Sequence, residues 1–80
     1  MKSPKSAPEL VDQFYLHMRS ALLETAAAFD RIQGAGEAQS VWQDPRLNGL
    51  RQAAQIVAGE EAERARRILE LLSVKEEEEA

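Results

Sequence analysis

The chain lacks cysteine and has one histidine among its eighty residues. The first absence excludes disulfides and thiolate zinc sites. The second leaves nucleophile–histidine chemistry without a partner, because no serine is placed beside His17. Aromatics are scarce as well: one tryptophan, one tyrosine and two phenylalanines. So few stacking residues, with a net charge of −4, argue against nucleic acid as a ligand. No apolar run approaches the roughly 18 residues of a membrane span, and "MKSPKSAPEL" has no apolar stretch after its lysines. The expectation is a soluble, cytoplasmic protein with no cofactor, no catalytic residue and no membrane or nucleic-acid partner. "GAGEAQ" supplies glycines but follows a helix, and lacks the strand that a dinucleotide site needs.

What is present is helix-forming. Hydrophobic residues make up 44% of the chain, many of them alanine. Alanine favours helix and close helix contact while adding little buried area. A chain this short exposes much of its surface and is marginal alone, so a second copy is the staple most open to it.

The pattern divides the chain into a mobile basic arm at 1–7, a helical domain at 8–74 and a frayed acidic tail at 75–80. Ser6 is placed to cap a first helix, with Pro8 and Glu9 in its first turn. That helix is expected from about Pro8 to Gln33. Its seam is Val11, Tyr15, Met18, Leu22, Thr25, Phe29 and Ile32, at the alternating spacing of a heptad. Leu10, Phe14, Leu16 and Leu23 widen the apolar arc beyond what one neighbour covers. Gly34 is read as a left-handed terminator. Val41 and Trp42 are too apolar for a free loop and are expected to fold back as a lid. Asp44 followed by Pro45 marks the next helix start.

The second arm carries Leu47, Leu50, Ala54, Ala58, Ala62, Ala65, Leu69 and Leu72, a stripe that one straight helix can satisfy, and Ile56, Val57, Ile68 and Leu71 widen that face. Gly59 either kinks this arm or ends a helix, with a new one opening at Glu60. A helix of about 39 Å against an arm of about 45 Å favours an antiparallel hairpin. The fold expected is therefore all-α: a helical hairpin, its second arm kinked or split at Gly59, dimerising into a four-helix bundle. Its contact surface is Phe14, Met18, Leu22 and Phe29, with Leu69 and Leu72 opposite. Trp42 is either a packing anchor or a hot spot for a partner.

One stretch, "GEEAERARRILELL", invites a functional reading. Glutamate and arginine recur at helical spacing, as a Glu-x-x-His pair does in di-iron bundles, but with arginine in the last place. Glu60–Arg64, Glu63–Arg66, Glu63–Arg67 and pairs from Arg66 and Arg67 to Glu70 make these side chains a self-satisfied solvated face. A metal reading falls back on His17 and Glu24, two turns apart on the first helix. That pair would need a second chain to complete a site.

At "LLETAAAFDRIQ", "DPRLNGLRQA" and "ERARRILELLS" the chain resembles small uncharacterised bacterial helical proteins, built from an alanine-rich helix, an Asp-Pro-Arg-Leu helix start and an arginine-rich final helix. The resemblance implies a real break near Gly59 and brings no functional residue with it. The function expected is a non-enzymatic, self-associating interaction or scaffolding module. A metal-binding carboxylate bundle and an adaptor that captures a partner helix are the competing classes.

Overall fold

The computed structural model describes residues 5–79. Regular structure among them is entirely helical, in four elements: α1 (Ala7–Gln33), α2 (Ala38–Val41), α3 (Pro45–Ala58) and α4 (Arg64–Glu79). The chain divides into two units, the first ending at Ala35 and the second beginning at Gly36.

The first unit is α1. Its N-terminus is fixed by a reciprocal pair of hydrogen bonds. The Glu9 amide donates to Ser6 Oγ at 3.4 Å, and the Ser6 amide donates to Glu9 Oε1 at 2.9 Å. Two of the four amides that a helix start leaves without partners are thereby satisfied. The helix begins at Ala7, one residue before the expected Pro8, and ends at Gln33 as the spacing predicts. Of the basic arm, residues 1–4 lie outside the described residues, and the Lys5 ammonium donates to Gln13 Oε1 on α1. Gly34 corrects the sequence reading. It sits at φ −83°, ψ −6°, in the right-handed region, and its amide donates to the Asp30 carbonyl at 3.0 Å. The cap is made by an ordinary helical turn, so no left-handed residue is required there.

The second unit holds α2, α3 and α4. The connector at 34–43 contains a short helix where the sequence suggests only a lid. Trp42 closes it and is half-buried. Asp44 caps α3 as expected. Its Oδ1 accepts the Arg46 amide at 2.8 Å, and its carboxylate also pairs with the Arg46 guanidinium at 2.7 Å. Pro45 costs nothing at the first helical position, where its missing N–H has no partner in any case.

Gly59 ends α3, and a five-residue turn separates it from α4. The split form of the second arm is the one realised, with the new helix opening at Arg64 instead of Glu60. α3 and α4 then pack on each other. Their contact is set by small residues. Gly49 and Ala53, one turn apart, are the buried positions among the described residues. A Cβ built on Gly49 would lie 2.9 Å from Lys75 Cγ and 3.2 Å from Leu72 Cδ2, so the backbone of α3 passes directly under α4. Leu47, Ile56, Ile68, Leu71 and Leu72 are half-buried around this notch. The expected face is thus realised in part. Leu47 and Leu72 of the stripe are half-buried, while Leu50, Ala54, Ala58, Ala62, Ala65 and Leu69 are exposed. Of the residues expected to widen it, Ile56, Ile68 and Leu71 turn inward while Val57 is exposed. α4 continues through the acidic run to Glu79, past Val74 where the apolar pattern stops.

Ala53, at 7% exposure, is the buried hydrophobic residue, and no large side chain is fully buried among the described residues. Neither unit has a conventional core.

Candidate functional site

The feature that stands out is the apolar surface of α1. Leu10, Val11, Phe14, Tyr15, Leu16, Met18, Leu22 and Leu23 are all exposed. Met18 is 47% accessible, Leu22 62% and Leu16 72%. Scattered single apolar residues on a surface are ordinary, but a contiguous set over four helical turns marks an interaction site. Tyr15, Met18, Arg19, Leu22 and Leu23 line a shallow depression on this surface.

The heptad spacing stacks Val11, Tyr15, Met18 and Leu22 on one side, Leu10 and Phe14 flank them, and Leu16 and Leu23 carry the apolar arc further round the helix. Thr25, the polar member of the seam, does not interrupt it chemically. Its hydroxyl donates to the Ala21 carbonyl at 2.9 Å, so it presents a methyl group without a stranded donor. Beyond Leu23 the seam is less open: Ala27, Phe29 and Ile32 are half-buried. Of the contact residues expected from sequence, Phe14, Met18 and Leu22 lie together on the exposed part of α1. Phe29 lies on the half-buried part of the same helix. Trp42, Leu69 and Leu72 belong to the second unit, where Leu69 is 68% exposed and Leu72 packs at the Gly49 notch. Tyr15 and Leu23 belong with Met18 and Leu22. A search for apolar residues alone also passes over Asp12 and Arg19, one heptad apart beside the seam.

The arginine-rich stretch resolves into structure. Arg66 lies between Glu63, at 2.8 Å, and Glu70, at 3.3 Å. Both carboxylates hold the guanidinium in its charged form, the Glu63 hydrogen bond most strongly. These are the exposed pairs the sequence predicts. Arg64 and Arg67 do something else. Arg64 donates through Nε to the Gly59 carbonyl at 3.2 Å, and through Nη2 to the same oxygen. Arg67 Nη1 donates to the carbonyls of Glu61, at 3.2 Å, and Ala62, at 3.0 Å, while Nη2 lies 3.5 Å from the Glu61 carboxylate. Two arginines from the first turn of α4 thus collect the carbonyls of the α3–α4 turn. The turn also holds Glu63 in the left-handed region, at φ 61°. Their chemistry is spent on the chain itself.

His17 and Glu24 are both exposed on α1. No group of three or more histidine, cysteine or carboxylate side chains placed to hold a metal occurs among the described residues. No helix among them is long and apolar enough to cross a membrane. Comparison with protein families, curated proteins and solved structures finds no match to this chain.

Proposed function

We propose that the protein is a non-enzymatic self-associating helical module, and that the exposed apolar face of α1 is its contact surface. The observation that carries this reading is the contiguous run of large apolar residues between Leu10 and Leu23. Burying one such side chain fully is worth about 1.5–3 kcal/mol, so leaving eight of them in water is a standing cost that a partner relieves. The thin core makes the same point. A chain whose buried positions, among the described residues, are a glycine and an alanine gains most of its further stability from association.

A second copy is the partner we favour, in line with the heptad seam. The four-helix bundle expected of two hairpins becomes an assembly of six long helices once the second arm is split, with the α1 pair as the best-supported part of this proposal. Scaffolding follows chemically: two copies joined through α1 present two α3–α4 pairs.

The test is Leu22→Glu. Leu22 is exposed, so the substitution removes no internal contact. It should leave the helical circular dichroism of the isolated chain unchanged and shift the mass seen by light scattering from dimer to monomer. A variant with wild-type mass would remove α1 from the interface.

A further inference from the structure

Resting on the self-association just proposed, we infer that two copies pair through α1 in antiparallel register, with the two-fold axis passing between Leu16 and His17. Each register of two α1 helices places different residues side by side. In an antiparallel pair, seam residues meet in layers, and the residues flanking the seam face their own counterparts across the axis. With the axis between Leu16 and His17, Val11 meets the partner's Leu22 and Tyr15 meets the partner's Met18. All four residues are exposed in the single chain. On one flank, Phe14 faces the partner's Ala21, a large residue against a small one. On the other, Asp12 faces the partner's Arg19, and symmetry repeats each contact.

The neighbouring registers fail on charge. Sliding the axis half a heptad toward the C-terminus, to Ser20, sets Arg19 against the partner's Arg19. Sliding it the other way, to Gln13, sets Asp12 against the partner's Asp12. A parallel in-register pair gives Asp12 the partner's Ala7 and gives Arg19 the partner's Phe14, with no opposite charge in reach. Only one of the four arrangements pairs both charges; like-charge contacts reject the two shifted antiparallel registers, and the parallel pair lacks the attraction. Exposure agrees independently. The large exposed apolar residues of α1 run from Leu10 to Leu23, and the midpoint of that run is the proposed axis. The register with its axis at Ser20 would instead rely on Phe29 and Ile32, which are already half-buried.

Charge exchange tests the register. Asp12→Arg alone, or Arg19→Asp alone, should weaken dimerisation by at least about tenfold, since each sets like charges together twice. The double variant Asp12→Arg/Arg19→Asp should return to within about threefold of wild type, because the pair is restored with its signs swapped. Spin-label distances give a second reading, and the chain has no cysteine of its own to interfere. With labels on Ser20→Cys, the two copies should be separated along the helix axis by about 10 Å, and with labels on Gln33→Cys by about 50 Å. Equal distances at the two positions, or a double variant as weak as the singles, would overturn the register while leaving self-association standing. A wild-type chain that stays monomeric would overturn both.

Discussion

Gly49→Ala isolates the contact that holds α3 to α4. Two effects compete at this position. Alanine is the better helix former by about 1 kcal/mol. Its methyl group, however, has no room: the new carbon would lie 2.9 Å from Lys75 Cγ and 3.2 Å from both Lys75 Cβ and Leu72 Cδ2. Leu72 Cδ2 ends a side chain and can rotate away. Lys75 Cγ can swing about χ1, but Lys75 Cβ is fixed to the backbone and moves only if α4 moves. Overpacking of this kind costs about 1–3 kcal/mol, so the steric effect exceeds the propensity gain. We expect a net loss of about 1 kcal/mol, and roughly twice that for Gly49→Val, whose branched side chain also disfavours helix. For a chain of this size, 1 kcal/mol is about 4–8 °C in Tm. Trp42, half-buried in the same unit, is the fluorescence reporter. Gly34→Ala is the control. Gly34 is right-handed, and a Cβ there meets nothing closer than 3.5 Å. It should gain about 0.4–1 kcal/mol by restricting the unfolded chain. If Gly49→Ala raised Tm as Gly34→Ala does, the close approach of α3 and α4 would be refuted.

Other substitutions probe the turns and the cap. Arg67→Ala should destabilise the second unit by about 1 kcal/mol in urea unfolding, because water only partly replaces the hydrogen bonds it gives to two turn carbonyls. Arg66→Ala, which removes only exposed pairs, should cost less than about 0.5 kcal/mol. Glu37 sits at φ 65° with no side-chain cap bond, so Glu37→Gly should stabilise by roughly 0.5 kcal/mol, visible as a small rise in Tm. The hydrogen bonds from the Ser6 amide and hydroxyl lower the pKa of Glu9. Its capping contribution is therefore complete above the ordinary carboxylate pKa and is lost as pH falls through the lowered value. Amide protection at Ser6 and Leu10, relative to the unstructured chain at the same pH, should fall over that range in the wild type and show no such step in Glu9→Gln.

The starts of α1 and α3 were legible because they rest on local chemistry, while those of α2 and α4 were not. Ser6 with Glu9, and Asp44 with Pro45, need only neighbours a few residues away, and both caps form as read. The break at Gly59 was legible as a choice between two outcomes. The inward face of the second arm was legible only in part: Leu47, Ile56, Ile68, Leu71 and Leu72 were read on it, but not which side of the stripe turns inward. Leu47 to Leu72 fit one straight stripe, but a broken arm folds on itself, and the crossing then decides which side is inside. That crossing sits on Gly49 and Ala53, two residues with almost no hydropathy signal. The arginines show the same limit. Pairing Glu60 with Arg64 presumes a helix through both; once 59–63 becomes a turn, Arg64 is nearer the Gly59 carbonyl. The left-handed Glu37 and Glu63 carry no sequence signature at all, since glutamate has no preference for that region. On α1 the apolar stripe was plain, while the charges that choose its partner's direction emerge only when Asp12 and Arg19 are set against a second copy.

Sedimentation velocity of the wild-type chain across a concentration series tests the central claim most directly. Self-association through α1 predicts a sedimentation coefficient that rises with concentration from monomer to a dimer plateau, with no larger species. A folded chain that sediments as a monomer at every concentration would contradict it.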